Sequence, residues 1–183
     1  MSENTHLILL TGATGNVGRE LARILHSQGH PIRAAVVSAA DARNLPHADI
    51  PWTLFDFGDP ASYPAAFAGV DRLFLMRPPH ISDINRYIKP VIDYAASHGV
   101  RQIVFLSLIG AEKNRVVPHA KVEKLLQAGP TPYTLLRCGF FMQNLNTTHR
   151  QDIREHSDIF IPAGQGKTAF IDVRDIAAAA AKI

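Results

Sequence analysis

The stretch Thr11-Gly12-Ala13-Thr14-Gly15-Asn16-Val17-Gly18 lies between an apolar run at residues 7–10 and a helix-patterned segment at 17–28. A strand that ends in a glycine-spaced turn and runs straight into a helix aims unpaired backbone N–H groups, and the positive end of the helix dipole, at one point. That point suits a pyrophosphate. Gly12 permits a tight turn off the strand, Gly15 lets an anion reach the backbone past no Cβ, and Gly18 lets helix and strand pack closely. Val17, Leu21, Ile24 and Leu25 share one helix face, and Gly29 supplies the stop. With these flanks the turn is a candidate dinucleotide cradle, in which Thr14, Asn16 and Val17 join the glycines as cofactor contacts. The plainer alternative is a βα turn that binds nothing.

The same strand-then-helix rhythm continues. Strand-type runs at 32–37, 52–57, 73–76, 103–106 and 133–136 are separated by helical patterns at 38–44, 61–67, 82–99 and from Pro118 to a stop at Gly129. Ser82 is the expected cap of the third of these helices, and Pro90 is expected to kink it. Short connections between alternating elements predict an α/β fold: a doubly wound parallel sheet of six strands, the Rossmann arrangement. Beyond it come residues 140–144, a short apolar piece at 159–161, and an alanine-rich helix that Asp172 and Asp175 are expected to cap.

Composition narrows the class. At 183 residues, with 46% hydrophobic and 19% charged, the chain suits one soluble domain and excludes disordered and fibrous classes. The formal charge is +3, but Lys and Arg are scattered with no basic run, which argues against nucleic acid as a partner. The single cysteine, Cys138, cannot form an internal disulfide, and a buried inert thiol is expected there. The opening residues are polar and no run is long enough to span a bilayer, so a cytoplasmic protein with no membrane segment is expected. No His, Cys or carboxylate spacing suggests a metal site, and no nucleophile elbow suggests a hydrolase. His119 and Glu123, one helical turn apart, read as an exposed pair, and His80 reads either as lining a substrate mouth or, more plainly, as a solvent-facing loop residue.

Met76 and Arg77 end the fourth strand on the carboxyl edge of the sheet, where open α/β folds bind ligands. Taken together with Asp56-Phe57, Gly69-Val70-Asp71, Phe105-Leu106-Ser107, Pro132-Tyr133-Thr134-Leu135-Leu136-Arg137, Phe141-Met142-Gln143-Asn144 and Asp172-Val173-Arg174-Asp175-Ile176, the glycine turn resembles the NmrA-like branch of the atypical short-chain dehydrogenases. These are Rossmann proteins that include NAD(P)H-dependent quinone reductases and redox-sensing regulators.

The resemblance implies hydride transfer from NADPH, with NADH possible, to a small acceptor such as a quinone. The alternative it implies is a non-catalytic NAD(P) sensor acting through a protein partner, and a homodimer is compatible with either. It places Val37 and Ser38 at the adenosine ribose, where many relatives carry an arginine; neither that arginine nor an acid is present, so coenzyme choice leans to NADP by resemblance alone. Arg33 and Arg43 read equally as phosphate partners or as solvated charges. Asp56 and Phe57 fall where relatives meet the adenine, although an Asp at a strand end also forms turns. Lys121 and Ser107 fall at catalytic positions of the superfamily, Lys121 also as a cofactor contact. The tyrosine expected four residues before Lys121 is Val117, and the plainer readings are a surface lysine and a strand-end hydroxyl. Family members continue past the last helix into a smaller substrate-binding part. Residues 1–183 are therefore expected to form a single NAD(P)-binding domain truncated at its C-terminus, with the substrate part largely absent and weak or no turnover.

Overall fold

Leu9 and Leu10 are adjacent in strand β1 (Leu7–Thr11) and both are wholly inaccessible to solvent, so the strand that leads into the glycine turn is covered on both faces. Residues 6–159 and 165–183 are described in the computed structural model. The central sheet contains β1, β2 (Ile32–Val36), β3 (Trp52–Leu54), β4 (Val70–Leu75), β5 (Gln102–Leu108) and β6 (Tyr133–Cys138), all parallel, in the order β3-β2-β1-β4-β5-β6. This is the predicted doubly wound sheet.

Side chains alternate between two cores, as the period of a pleated strand requires. Leu9, Leu73, Leu75, Ile103 and Phe105 face one layer, where Phe67 of α3 (Tyr63–Phe67), Val91 and Ala95 of α5 (Lys89–Ser97) and Val122 and Leu126 of α6 (Pro118–Ala128) meet them. Leu10, Phe74, Val104 and Leu106 face the other, against Val17, Leu21 and Leu25 of α1 (Asn16–Ser27) and Ile176 and Ala177 of α8 (Val173–Ala180). The remaining elements are short: α2 (Ala39–Ala42), α4 (Ile84–Tyr87), α7 (Arg150–His156), and a two-stranded parallel sheet of β7 (Phe140–Phe141) and β8 (Phe170–Ile171).

Several boundaries differ from the sequence expectation, each for a local reason. The third strand stops at Leu54 because Phe55 and Phe57 turn into the core and the Asp56 carboxylate accepts a hydrogen bond from the Gly58 amide at 2.7 Å. Residues 82–99 form α4 and α5 rather than one kinked helix. The break falls at Ile88, so that Pro90, which lacks an N–H, lies in a first turn where none is needed. Asp83, not Ser82, caps α4, accepting from the Arg86 amide at 3.1 Å. Of the apolar piece at 159–161, residues 160 and 161 lie outside the described residues. Asp172 does cap α8, accepting from the Arg174 amide at 2.8 Å. Gln143 completes the cap: its side-chain amide donates to Asp172 and its carbonyl accepts from the Val173 amide, each at 3.0 Å.

Two interactions set the carboxyl edge between β1 and β4, where the direction of strand succession reverses. The buried Thr11 hydroxyl donates to the Phe74 carbonyl at 3.0 Å and accepts from the Met76 amide at 2.8 Å, bridging the strands as they part. Gly18 lies against the turn: a Cβ there would come 2.1 Å from the Gly12 carbonyl oxygen, a backbone atom that cannot swing aside. Gly18→Ala should therefore force α1 away from β1 and cost about 2–3 kcal/mol. For a chain of this size that is a fall of roughly 5–10 °C in thermal midpoint, readable by circular dichroism.

Candidate cofactor-binding site

The first turn of α1 is an unsatisfied set of donors. Its N-cap is Gly15, in extended conformation at φ −83° and ψ 174°; no side chain caps the helix and no acid sits in its first turn. The turn is held from within by the Gly15 amide donating to the Gly12 carbonyl at 3.0 Å, with Gly12 at φ +67°, a conformation suited to glycine. The Met76 side chain crosses the turn, its Cε 2.0 Å from where a Gly12 Cβ would stand and 3.4 Å from that of Gly15. A bare, positively polarised helix end of this kind, with no side chain to quench it, fits a diphosphate.

This turn opens onto a cavity of about 860 Å³ at the carboxyl edge of the sheet. Of the residues expected at the site, Gly12, Thr14, Gly15, Asn16, Val17, Met76, Arg77 and Ser107 line it together. Away from the turn the lining is largely apolar, with Leu108, Ile109, Phe140 and Phe141; Asn144 of the Phe141-Met142-Gln143-Asn144 motif and two polar residues that the sequence did not single out, Thr148 and Lys167, complete it.

The other expected residues lie elsewhere. Gly18 is beneath the turn, as its packing role requires. Val37 is 75% exposed just past β2, and the Ser38 hydroxyl accepts from the Asp41 amide at 3.1 Å as the cap of α2. Asp56 forms the turn described above, and Phe57 is buried in the core with its ring 5.0 Å from that of Phe55. Lys121 is exposed on α6 and does not line the cavity. Arg33 is not a free cation for a phosphate: its Nη1 donates to the Ala66 and Ala68 carbonyls at 2.9 and 2.7 Å, closing the end of α3.

Arg77 likewise spends its guanidinium on its own loop. Nη1 donates to the carbonyls of Pro78, Pro79 and Ile81 at 2.8, 3.0 and 2.5 Å, while Nε is buried without a partner among the described residues. His119, which also lines the cavity, has its pKa pushed down to about 4, by burial first and by the Arg77 charge second. At neutral pH it is an uncharged imidazole, one donor and one acceptor. Cys138 is buried as expected, its thiol pushed up to about 11 by that burial, so no thiolate forms at neutral pH.

His119 and Glu123 are not the exposed pair that their spacing suggested. Glu123 is only 3% exposed, and Arg137 grips it bidentately, Nε to Oε1 at 3.0 Å and Nη2 to Oε2 at 2.6 Å. The Ser107 hydroxyl donates to the same Oε1 at 2.5 Å. The Arg137 hydrogen bonds, with help from Ser107, hold the Glu123 carboxyl below its ordinary pKa in spite of burial. With its proton directed at Glu123, Ser107 presents lone pairs to the cavity and acts there as an acceptor. The sequence carried no local signal for this cluster, since Arg137 reaches Glu123 from the end of another strand.

Because the folded pKa of Glu123 is lowered, the native state releases a proton that the unfolded chain still holds. The resulting stability is present above the ordinary carboxylate range and is lost as pH falls through the lowered value. Glu123→Gln should therefore lower the urea midpoint at neutral pH, and its gap from the parent should shrink in acid. Arg137→Leu, which strands the buried carboxylate, should cost about 2–4 kcal/mol at neutral pH by the same measurement.

The comparisons with known proteins agree with this geometry. The profile of a family described as NAD(P)H-binding matches residues 12–183. An NAD(P)H azoreductase from Xenophilus azovorans is 35% identical over 178 residues, covering 95% of this chain and 62% of that protein. Quinone oxidoreductase 2 of Escherichia coli strain K12 is 31% identical over 182 residues, covering 97% of this chain and 63% of that protein. A crystal structure of the NADPH-dependent quinone oxidoreductase of Escherichia coli complexed with NADPH superposes with a TM-score of 0.82 at 31% identity, over 96% of this chain and 63% of that one. A triphenylmethane reductase of Citrobacter sp. complexed with NADP(H) gives 0.79 at 26% identity, over 97% of this chain and 64% of that one. The chain thus spans somewhat less than two thirds of the length of these relatives. The unquenched glycine turn, the strand order and the match over most of the chain place this protein in the NAD(P)H-binding family, among relatives that include quinone reductases of the NmrA-like kind expected from its sequence.

Proposed function

We propose that this chain is the coenzyme-binding unit of an NADPH-dependent oxidoreductase whose acceptor is a small, flat, oxidised molecule such as a quinone. The observation that carries the reading is the amino end of α1, with no side-chain cap and no acid, opening onto a cavity whose lining is rich in aliphatic and aromatic side chains. The amides of the turn, with Thr14 and Asn16 beside them, hold the diphosphate. When bound, the reduced nicotinamide supplies the hydride. Phe140, Phe141 and Ile109 offer an apolar surface to a planar acceptor and keep water from it, and Ser107 offers a hydrogen-bond acceptor in the same cavity. Reduction of a quinone needs no fixed acid, because the product oxygens can take protons from water. That suits a cavity in which His119 is neutral and Val117 stands in place of a tyrosine.

NADPH is the preferred coenzyme in this reading. No carboxylate ends β2 to claim a ribose diol; exposed Val37 leaves room and exposed Arg43 brings positive charge for a 2′-phosphate, set against the negative charge of Asp41 in α2. The NADPH and NADP(H) complexes of the structural relatives point the same way. A cytoplasmic setting accords with a lone, buried cysteine and with the lack, among the described residues, of any helix long and apolar enough to cross a membrane.

A second reading is a coenzyme sensor without turnover, favoured by the missing tyrosine and by the position of Lys121 outside the cavity. Oxidation of NADPH with a soluble quinone bears on the two: turnover above a Gly15→Val control supports the enzyme and excludes the sensor. Gly15 has an ordinary φ and a Cβ there would sit at contact distance, so Gly15→Val should keep the fold. It should weaken NADPH binding at least tenfold by calorimetry, about 1.4 kcal/mol. An unchanged affinity would remove the diphosphate from this turn. In parallel titrations NADPH should bind more tightly than NADH, and the reverse order would overturn the coenzyme assignment.

A further inference from the structure

At the opposite end of α1 from the glycine turn, three side chains with metal-ligand chemistry meet. His26 lies in the last turn of α1; His47 and Asp49 come from the loop between α2 and β3. One ligating atom from each lies within 4.8 Å of the other two. The His26 and His47 rings are 4.9 Å apart between centroids and inclined by 33°, and His26 Nε2 is 3.3 Å from Asp49 Oδ2. In a tetrahedral zinc site with bonds of about 2.0–2.1 Å, neighbouring ligand atoms stand about 3.3–3.4 Å apart. The His26–Asp49 pair already has that separation, and a His47 ring nitrogen lies within 4.8 Å of both.

The loop is fixed from both sides. Leu45 and Ile50, which bracket His47 and Asp49, are 9% and 1% exposed and belong to the same core cluster as Leu21 and Leu25 of α1. The Ile50 amide donates to the His47 carbonyl at 3.4 Å, and the Pro51 carbonyl accepts from the Ala34 amide at 2.8 Å, which ties the loop to the sheet. Core packing therefore holds the backbone that carries His47 and Asp49 beside the end of α1, with the two side chains themselves exposed.

We infer that His26, His47 and Asp49 form a binding site for a divalent first-row transition ion, with Zn²⁺ as the natural probe. Two imidazoles and a carboxylate suit Zn²⁺, Ni²⁺ or Cu²⁺ better than Mg²⁺ or Ca²⁺, which prefer all-oxygen shells. Three protein ligands leave the fourth position to water. α1 has 12 residues, so at about 1.5 Å per residue the ion would stand roughly 18 Å from the glycine turn. It would act as a clamp between α1 and the β2–β3 crossover, stabilising the fold in proportion to its occupancy, and would not touch the coenzyme.

The test is a Zn²⁺ competition titration against a chromophoric chelator, on the whole chain without a histidine tag, together with thermal midpoints with and without Zn²⁺. The expected result is one ion bound with micromolar affinity and a rise in midpoint. His47→Ala and Asp49→Asn, both at exposed positions and so expected to fold, should each weaken binding at least tenfold and abolish the rise. The chain carries nine histidines, so equal Zn²⁺ affinity in parent and His47→Ala would mean that others bind the ion. That result would overturn the site, and so would no binding at all.

Discussion

The close approach of α1 to the end of β1 is the constraint on which the rest of the molecule depends. A helix can lie this near a strand only where neither backbone carries a Cβ at the crossing, and Gly18 against the Gly12 carbonyl is such a point. Two consequences follow from it. The helix axis is aimed so that its unpaired amides face the carboxyl edge, and the helix body drops onto the sheet deeply enough for Leu21 and Leu25 to join Leu10 and Phe74 in one core. The uncapped helix end and the hydrophobic layer are thus two products of the same contact.

The far wall of the crevice rests on a different principle. β5, β6 and α6 are joined by apolar packing and also by one buried carboxylate, Glu123, shared between Arg137 and Ser107. A charge this deep is tolerated because its acceptor sites are filled by a planar cation and a hydroxyl, and because Arg137 remains a third exposed, keeping part of its own hydration. The arrangement fixes the orientation of Ser107, so a polar lining atom is set by a group that never reaches the cavity.

Much of this was legible in the sequence, and the boundary of legibility is physical. Strand and helix order, the two-faced burial of β1, β4 and β5 and the glycine turn between β1 and α1 are all local properties, written as period-two and period-three-to-four patterns within a few residues. Pairings made by the fold were not local and could not be read. Glu123 looked solvated because its partner Arg137 is fourteen positions away on another element. Arg33 looked free because the carbonyls that hold it belong to α3. His26 showed no metal spacing because its companions lie more than twenty positions on, and the split at Ile88 turned on where a proline's missing N–H costs least. Of the candidates, Val37, Ser38, Asp56, Phe57 and Lys121, all placed at the site by family resemblance, lie outside the cavity, whereas Met76, Arg77, Ser107 and the candidate turn residues other than Gly18 line it.

The guanidinium of Arg77 has a consequence beyond its own loop. Its hydrogen bonds go to neutral carbonyls, and among the described residues no carboxylate stands within ion-pair distance, so the full positive charge remains uncompensated at the cavity wall. The depressed imidazole of His119 registers that field. A polyanion drifting toward the crevice is thereby drawn in by an arginine that need never touch it, and its rate of arrival carries a dependence on ionic strength even where, as proposed, main-chain amides are what hold it.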